Sequence, residues 1–209
     1  PLAVVRSGLE SVEKCSNEEE RNYFLHLMSE ETVHMKRLID DMLLLANSDA
    51  DTLTIKPEAC QPDLLLLDTY EKFEPLAKKN GLHLILALPE EILPDCFCDI
   101  HRTEQIFSII VDNALCYTPS GGKVTLSCHA ENEMLCFLFE DTGCGISEEK
   151  KSHIFERFYR ADDAHTDREH FGLGLCIAKE LTEKQNGNIQ VVDAPISGSC
   201  FMVQLPCSL

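Results

Sequence analysis

The sequence predicts an α+β protein in which one mixed β-sheet carries helices on one face and two further helices precede the sheet. Strand-like runs separated by helical runs predict this two-layer sandwich, and two adjacent strand-like runs around Glu131-Asn132 predict a β-hairpin within it. A heptad-like apolar spacing near the N terminus predicts the two leading helices. The 209 residues are 44% hydrophobic and 26% charged, a composition that suits an ordinary folded protein.

The leading helices are predicted to form an antiparallel hairpin over residues 1–48. The first helix covers residues 2–14, and its apolar stripe consists of Leu2, Val5, Leu9 and Val12. Ser16, followed three residues later by Glu19, matches a capping box and predicts a second helix that continues to about Ala46. The apolar seam of this second helix consists of Leu25, Met28, Met35, Leu38, Met42 and Leu45.

Two helices alone bury little apolar surface, so the hairpin needs a further packing partner. Pairing with the hairpin of a second copy is the favoured completion, because it gives a four-helix bundle and a homodimer. Packing of the hairpin on its own chain is the alternative.

The remaining residues, 52–209, are predicted to form the sandwich. Changes of apolar periodicity and Pro or Gly stops mark its elements. The predicted strands are residues 52–56, 82–88, 123–130, 134–140, 188–193 and 199–205, and the predicted helices are residues 63–79, 99–117 and 173–184. The polar stretch 141–171 has no regular pattern and is long enough to be a functional lid.

Charge and cysteine content narrow the classes of function. The net charge of −18 disfavours binding to nucleic acid or to an anionic membrane, so a phosphate-rich ligand would need backbone N–H groups, a metal ion or a few placed cations. Eleven cysteines without a C-x-x-C pair indicate buried thiols in a reducing cytosol, while the alternative, a zinc site, lacks supporting ligand spacing. The sequence shows neither a signal peptide nor an apolar run of transmembrane length.

Two motifs combine polar residues with apolar elements. QIFSIIVDNALCYTPSGG, residues 105–122, is typical of a buried helix but contains Asn113, and a buried amide without partners costs about 1–3 kcal/mol. In EDTGCGIS, residues 140–147, Asp141 ends a strand, and two glycines permit close approach of a ligand. An aspartate held there can accept a hydrogen bond from an exocyclic amine such as that of adenine. A plain turn after a strand is the alternative.

Two further motifs suit phosphate binding. FGLGL, residues 171–175, places two glycines at the start of a helix, where free N–H groups and the helix dipole favour phosphate. Close helix packing is the alternative there. IFERFYR, residues 154–160, combines aromatic residues with Arg157 and Arg160. This segment either plugs into the core beside solvated arginines, or anchors a mobile lid from which an arginine reaches a phosphate.

The order of these four motifs resembles that of the sensor histidine kinases of two-component systems. From about residue 52 to the end, the chain resembles that family's ATP-binding domain, which has a Bergerat-type fold. EETVHMKRLIDDMLLLANSD, residues 30–49, looks like the second helix of the family's dimerisation hairpin. Pro1-Leu2 fits the tail of the family's H-E-x-R-T-P-L box.

The resemblance implies that the chain binds ATP and Mg²⁺. Asn113 would be a magnesium ligand, Asp141 would bind the adenine amino group, and Tyr117 would lie against the base. The other nucleotide-binding residues implied by the resemblance are Gly143, Gly145, Ile146, Phe155, Arg160, Gly172, Leu173, Gly174 and Leu175. The implied partners are a second copy, bound through the hairpin, and the receiver domain of a response regulator. The implied location is the cytoplasmic part of a membrane-anchored protein.

The resemblance also places the phosphate-accepting histidine, with its acidic neighbour, just before Pro1. The chain is therefore expected to bind nucleotide without phosphorylating itself, and the upstream histidine would pass its phosphate to a response-regulator aspartate. His26 and His34 lie on the second helix, away from that motif, and are not expected to accept phosphate.

Three positions depart from the family's pattern. Ile109 stands where many relatives have a second asparagine, Cys116 where they often have Lys or Arg, and Glu169-His170 where extra glycines are usual. These departures favour, as an alternative, a degenerate kinase that acts as a dimeric interaction module. An ATPase of the same fold is disfavoured, because Ile109 occupies the position of the general-base glutamate in those enzymes and cannot activate water.

Overall fold

The structure, a computed structural model, describes residues 2–15, 17–160, 171–195 and 197–207. The described residues divide into two compact units, one formed by those of 2–53 together with Phe171 and the other by those of 54–160 and 172–207. Among the described residues, no helix combines the length and the apolar content that crossing a bilayer requires.

The first unit contains the predicted helical hairpin, made of α1 (Leu2–Lys14) and α2 (Glu18–Asp49). The two helices approach closely, since a Cβ atom on Gly8 would lie 2.6 Å from the Cγ of Met28. The predicted capping box placed Ser16 at the N-cap of α2, and this was wrong, because the N-cap is Asn17. The Asn17 side-chain oxygen accepts a hydrogen bond from the backbone N–H of Glu19 at 3.0 Å, as an N-cap asparagine can do as well as a serine. Ser16 lies outside the described residues.

The predicted apolar seam of α2 is only partly buried. The buried residues of this helix are Met28, Glu31, Leu44, Leu45 and Ser48. Leu25 and Met42, which belong to the predicted seam, are 47% and 49% exposed. The hairpin therefore presents apolar side chains that its own two helices do not cover.

The second unit contains a mixed sheet, as predicted, and this sheet has five strands rather than the six strand-like runs of the sequence. Its strands are β2 (His83–Ala87), β4 (Lys123–Glu131), β5 (Met134–Asp141), β6 (Asn188–Asp193) and β7 (Ser199–Pro206). They lie in the order β2–β4–β5–β7–β6, with β2 parallel to β4 and the other neighbours antiparallel. The predicted hairpin is the β4–β5 pair, and Asn132 and Glu133 in its turn have positive φ angles of 50° and 64°.

Helices cover one face of this sheet, and they are α3 (Pro62–Lys79), α4 (Ile100–Tyr117) and α6 (Gly174–Glu183). The side chains that face them alternate along each strand, as in the fully buried row Leu126–Phe139–Phe201 that crosses β4, β5 and β7. Phe107 of α4 packs at the centre, with its ring 4.8 Å from that of Phe137 and 5.0 Å from that of Phe139. This contact holds α4 on the middle of the sheet.

The strand predicted over residues 52–56 was wrong. In the part of the chain that the structure describes, that segment has no partner strand, and the backbone N–H of Lys56 donates instead to the carboxylate of Asp99 at 2.9 Å. Pairing begins later, where β1 (Glu58–Cys60) runs antiparallel to β3 (Cys96–Cys98) in a separate two-stranded sheet. β3 was missed because three residues are too few to show an alternating pattern.

Candidate functional site

Helix α4 carries Asn113 on a half-buried face. The helix begins at the N-cap Asp99, whose Oδ1 accepts a hydrogen bond from the N–H of Arg102 at 3.1 Å. The side-chain nitrogen of Asn113 donates to the carbonyl oxygen of Ile109 at 2.9 Å. This bond uses one of the two N–H groups of the amide, and the amide oxygen is the atom of the side chain that can bind a cation.

The end of α4 lies against the loop that follows β5. A Cβ atom on Gly143 would lie 2.5 Å from the carbonyl oxygen of Tyr117, so only glycine fits at this point. Tyr117 itself is 41% exposed. The structure thus brings together two of the predicted site residues, from α4 and from the EDTGCGIS motif.

Asp141, the last residue of β5, is a buried carboxylate that is 5% exposed. Its Oδ1 accepts a hydrogen bond from the N–H of Gly143 at 2.8 Å. Burial raises the pKa of Asp141, while hydrogen bonds from the backbone N–H groups of Gly143 and Ser199 favour the ionised form and act against that rise. A carboxylate has lone pairs beyond those two bonds, so Asp141 can still accept a hydrogen bond from an amine.

Gly198 belongs to the same site but was not predicted from the sequence. It lies in the turn before β7, where an added Cβ would be 2.1 Å from the carbonyl oxygen of Asp141. The Ser-Gly-Ser run at residues 197–199 is typical of a turn, but a turn signal says nothing about which distant strand end it contacts.

An open groove of about 530 Å³ lies between the EDTGCGIS loop and the β6–β7 turn, within the range of about 300–1,000 Å³ for small-molecule sites. It is lined by Gly143, Cys144, Gly145, Ile146, Ser147, Asp193, Ala194, Ser197 and Gly198. Three of the predicted nucleotide-binding residues, Gly143, Gly145 and Ile146, are therefore in one groove.

The second glycine motif meets α4 one turn before Asn113. Leu173 is the buried N-cap of α6, and a Cβ on Gly174 would lie 3.1 Å from the Cγ2 of Ile109. Leu175 follows in the first turn and is half-buried. Ile109, the position that departs from the family's pattern, thus packs against the start of α6.

The IFERFYR segment, residues 154–160, contacts the FGLGL motif through a backbone hydrogen bond. The N–H of Phe158 donates to the carbonyl oxygen of Gly172 at 2.8 Å. The ring of Phe155 lies 6.5 Å from that of Phe201 on the sheet, which favours an anchoring role for this residue. Arg157 lies 3.9 Å from the carboxylate of Glu180, and Arg160 is exposed at the end of the described segment.

The predicted lid is described only in part. A short helix, α5 (Glu148–Lys151), occupies its first half. Residues 161–170 lie outside the described residues, and with them Glu169-His170.

Residues 98–209 match the family described as histidine kinase-, DNA gyrase B-, and HSP90-like ATPase, and the chain belongs to this family. Over 99% of its length the chain is 30% identical to the adaptive-response sensory kinase SasA of Rippkaea orientalis, covering 54% of it. It is 32% identical to the sensor histidine kinase RppB of Synechocystis, again over 99% of its length and covering 46% of that protein. The chain spans about half the length of these relatives. The resemblance to sensor histidine kinases is thereby confirmed.

Solved structures agree on the fold. Full-length ShkA in complex with AMPPNP has a TM-score of 0.80 and 26% identity, over 96% of this chain and 42% of that one. ThkA in complex with the response regulator TrrA has a TM-score of 0.77 and 18% identity, over 100% of this chain and 58% of that one. The predicted fold, a two-layer sandwich preceded by a helical hairpin, is confirmed together with its class as an ATP-binding domain.

Asp141→Asn tests the burial of this carboxylate. Because the pKa of Asp141 is raised above the unfolded value of 3.8, ionisation opposes folding at every pH above the folded-state pKa, and this cost disappears as the pH falls below 3.8. The asparagine oxygen can still accept from Gly143. We therefore expect Asp141→Asn to be as stable as the parent chain or more stable at neutral pH, with an advantage that shrinks on acidification. Urea unfolding of both chains, from neutral pH to below pH 3.8, measures the difference in their free energies of unfolding.

The matched control is Asp68→Asn, which changes an exposed carboxyl group on α3. It should give no comparable gain at neutral pH. A loss of stability in Asp141→Asn that is the same at all pH values would contradict the expectation.

Proposed function

We propose that this chain binds Mg²⁺-ATP for phosphoryl transfer to a histidine, from which the phosphate passes to an aspartate of a response regulator. The observation that carries the proposal is the buried carboxylate of Asp141, held at 2.8 Å by the N–H of Gly143 beside an open groove. A desolvated carboxylate there distinguishes an amine donor such as the adenine 6-amino group from a carbonyl, because only the amine completes a hydrogen bond to it.

The remaining parts of the nucleotide have partners of matching chemistry. Asn113 offers an amide oxygen on a half-buried helix face, which suits a hard cation that keeps most of its ligands as phosphate and water. Gly172, Leu173 and Gly174 lead into the N-terminus of α6, whose first-turn N–H groups and dipole favour phosphate oxygens. Arg160 is the basic residue we assign to phosphate, and Tyr117 and Phe155 the aromatic ones near the base and the lid.

When bound, Mg²⁺ would neutralise phosphate charge, and the chain's own residues would contribute positioning rather than covalent chemistry. Asp141 would fix the base, and the α6 N-terminus would orient the phosphates. The packing of Ile109 against the start of α6 argues against the alternative ATPase, since this side chain holds two helices together and cannot take a proton from water.

Asn113→Ala tests the metal site and the nucleotide site together. Removing the ligand oxygen should weaken binding of an ATP analogue in the presence of Mg²⁺ by at least about 100-fold, since even changes behind a metal ligand cost about 10–100-fold. Binding without Mg²⁺ should change little. Calorimetric titration with and without the metal separates the two effects.

Asn188→Ala, on the exposed edge strand β6, is the matched control and should bind normally. Cys116→Lys, which adds a cation one turn after Asn113, should bind as well as the parent chain or better. Normal Mg²⁺-dependent binding by Asn113→Ala would mean that the asparagine is a core amide satisfied by Ile109. Absence of binding by the parent chain at millimolar nucleotide would favour the dimeric interaction module.

We further propose that the acceptor histidine precedes Pro1. Helix α1 contains no histidine, and on α2 the exposed His26 and the half-buried His34 each lie near a glutamate of their own helix. Incubation with radiolabelled ATP and Mg²⁺ should therefore leave the chain unlabelled although it binds nucleotide.

Stable labelling at a histidine of this chain would overturn that assignment. A longer protein that includes the preceding residues should become labelled and pass the label to a receiver domain. Failure of that transfer would contradict the response regulator as partner. This role implies a cytoplasmic location, and anchoring of the longer protein in a membrane belongs to the proposal as well.

Dimerisation through the hairpin is proposed from its exposed apolar side chains. The large hydrophobic side chains of the hairpin that are about half exposed or more are Leu2, Leu9, Tyr23, Leu25, Val33, Ile39, Met42 and Leu43. Burial of these side chains between two hairpins would remove apolar area from water, which stabilises the pair by about 25 cal/mol per Å² buried.

Leu43→Glu is expected to convert the dimer to a monomer, because the pairing of two hairpins would bury the introduced charges. Sedimentation equilibrium measures the change. Ile92→Glu, at a fully exposed position of the second unit, serves as the control and should leave the dimer intact. A parent chain that is monomeric at high micromolar concentration would contradict the proposal.

A further inference from the structure

Three cysteines from distant parts of the sequence meet in the two-stranded sheet β1–β3. Cys60 pairs directly with Cys96 in the antiparallel register, and Cys98 follows two residues later on the same side of β3. Cys96 and Cys98 are fully buried, whereas Cys60 is half-buried. One residue of the cluster is therefore partly exposed to solvent, while the other two are shielded from it.

The sulfur atoms are spaced as ligands of one ion. All three Sγ atoms lie within 4.8 Å of one another, and those of Cys60 and Cys98 are 3.4 Å apart. With metal–sulfur bonds of about 2.3 Å, three thiolates around one ion are about 3.8–4.0 Å apart. The sulfurs therefore need to shift by less than about 1 Å to share an ion, which side-chain rotation provides.

The surroundings hold the cluster in place. The backbone of Cys96 bridges to that of Cys207, which ties β3 to the end of the chain. Asp99, directly after β3, accepts from the N–H of Lys56 at 2.9 Å and caps α4. Both strands are thus anchored close to the three sulfurs.

We propose that Cys60, Cys96 and Cys98 form a binding site for one soft, thiophilic metal ion such as Zn²⁺ or Cu⁺. Three sulfur ligands select such an ion over Mg²⁺ or Ca²⁺, which prefer oxygen. Each thiol that binds releases its proton to solvent, and no electron is transferred. An ion there would join β1 to β3 immediately before α4, the helix that carries Asn113.

Titration with Cd²⁺ alone, under reducing conditions that keep the thiols free, tests the site. The full chain should bind one equivalent with the ultraviolet charge-transfer absorption of cadmium thiolate. Cys60→Ser and Cys98→Ala should each weaken Cd²⁺ binding by at least about tenfold, since changes behind a ligand already cost that much.

Cys136→Ser is the matched control. It removes a buried thiol from the neighbouring group of His129, Glu131 and Cys136 on the open face of the main sheet, whose ligand atoms also lie within 4.8 Å of one another. Binding should survive this substitution. Cd²⁺ binding that is lost in Cys136→Ser but retained in Cys60→Ser would overturn the proposal.

The unsubstituted chain provides a second test, should a cysteine variant fail to fold. Cd²⁺ should protect Cys60 from alkylation, measured by mass spectrometry, while the exposed Cys144 continues to react. Equal alkylation of Cys60 with and without Cd²⁺ would overturn the proposal. Neither readout involves nucleotide. Failure of the metal-site proposal would therefore not count against the proposed kinase function, and failure of the kinase function would not count against the metal site.

Discussion

The packing of α4 on the centre of the sheet is the interaction on which the candidate site depends. Phe107 lies about 5 Å from two phenylalanine rings of β5, and this contact places the opposite face of α4 at the edge of the core. Asn113 lies on that half-buried face, one turn after the contact of Ile109 with the start of α6. A single helix thus supplies both the core of the second unit and the polar group assigned to the cation. Loss of its packing would displace both.

The loop after β5 shows how a functional group is held at the expense of local stability. Asp141 is buried, which raises its pKa, and hydrogen bonds from the backbone N–H groups of Gly143 and Ser199 act against that rise. The approach of Gly143 and Gly198 allows no Cβ at either position, so the loop has little freedom to relax around a different side chain. Such rigidity would pre-organise the carboxylate for the amine donor proposed to bind it.

The thiol cluster and the nucleotide site are linked through α4. Asp99 follows Cys98 directly, caps the helix, and receives hydrogen bonds from the backbone at Lys56 and Arg102. Its own N–H donates to the side chain of Gln185 at 2.7 Å, just beyond α6. An ion that tightens β1 against β3 would therefore act on the first turn of α4 and on the segment after α6. Metal binding at the proposed thiol site would therefore act on residues that adjoin both helices of the proposed nucleotide site.

Local sequence was sufficient for the elements whose pattern is long and regular. The hairpin, the helices α3, α4 and α6, and the strands of the main sheet follow from periodicity and from Pro or Gly stops, because these signals act within one element. The strand prediction for residues 52–56 was wrong. A strand also needs a neighbouring strand, and this segment hydrogen-bonds to Asp99 instead. The order of the motifs likewise identified the family before any contact was known.

The contacts between distant residues were decided only by the tertiary structure. The sequence indicated Asp141 and its glycines, but the contact of Gly198 with Asp141 depends on the β5–β7 pairing, which no local pattern specifies. Eleven cysteines without a metal-binding spacing indicated ordinary buried thiols, yet the pairing of β1 with β3 gathers three of them within 4.8 Å. Spacing along the chain predicts which residues are neighbours within one element, whereas strand register sets the distances between elements. Strand register brings together Asp141 with Gly198 and also the three cysteines.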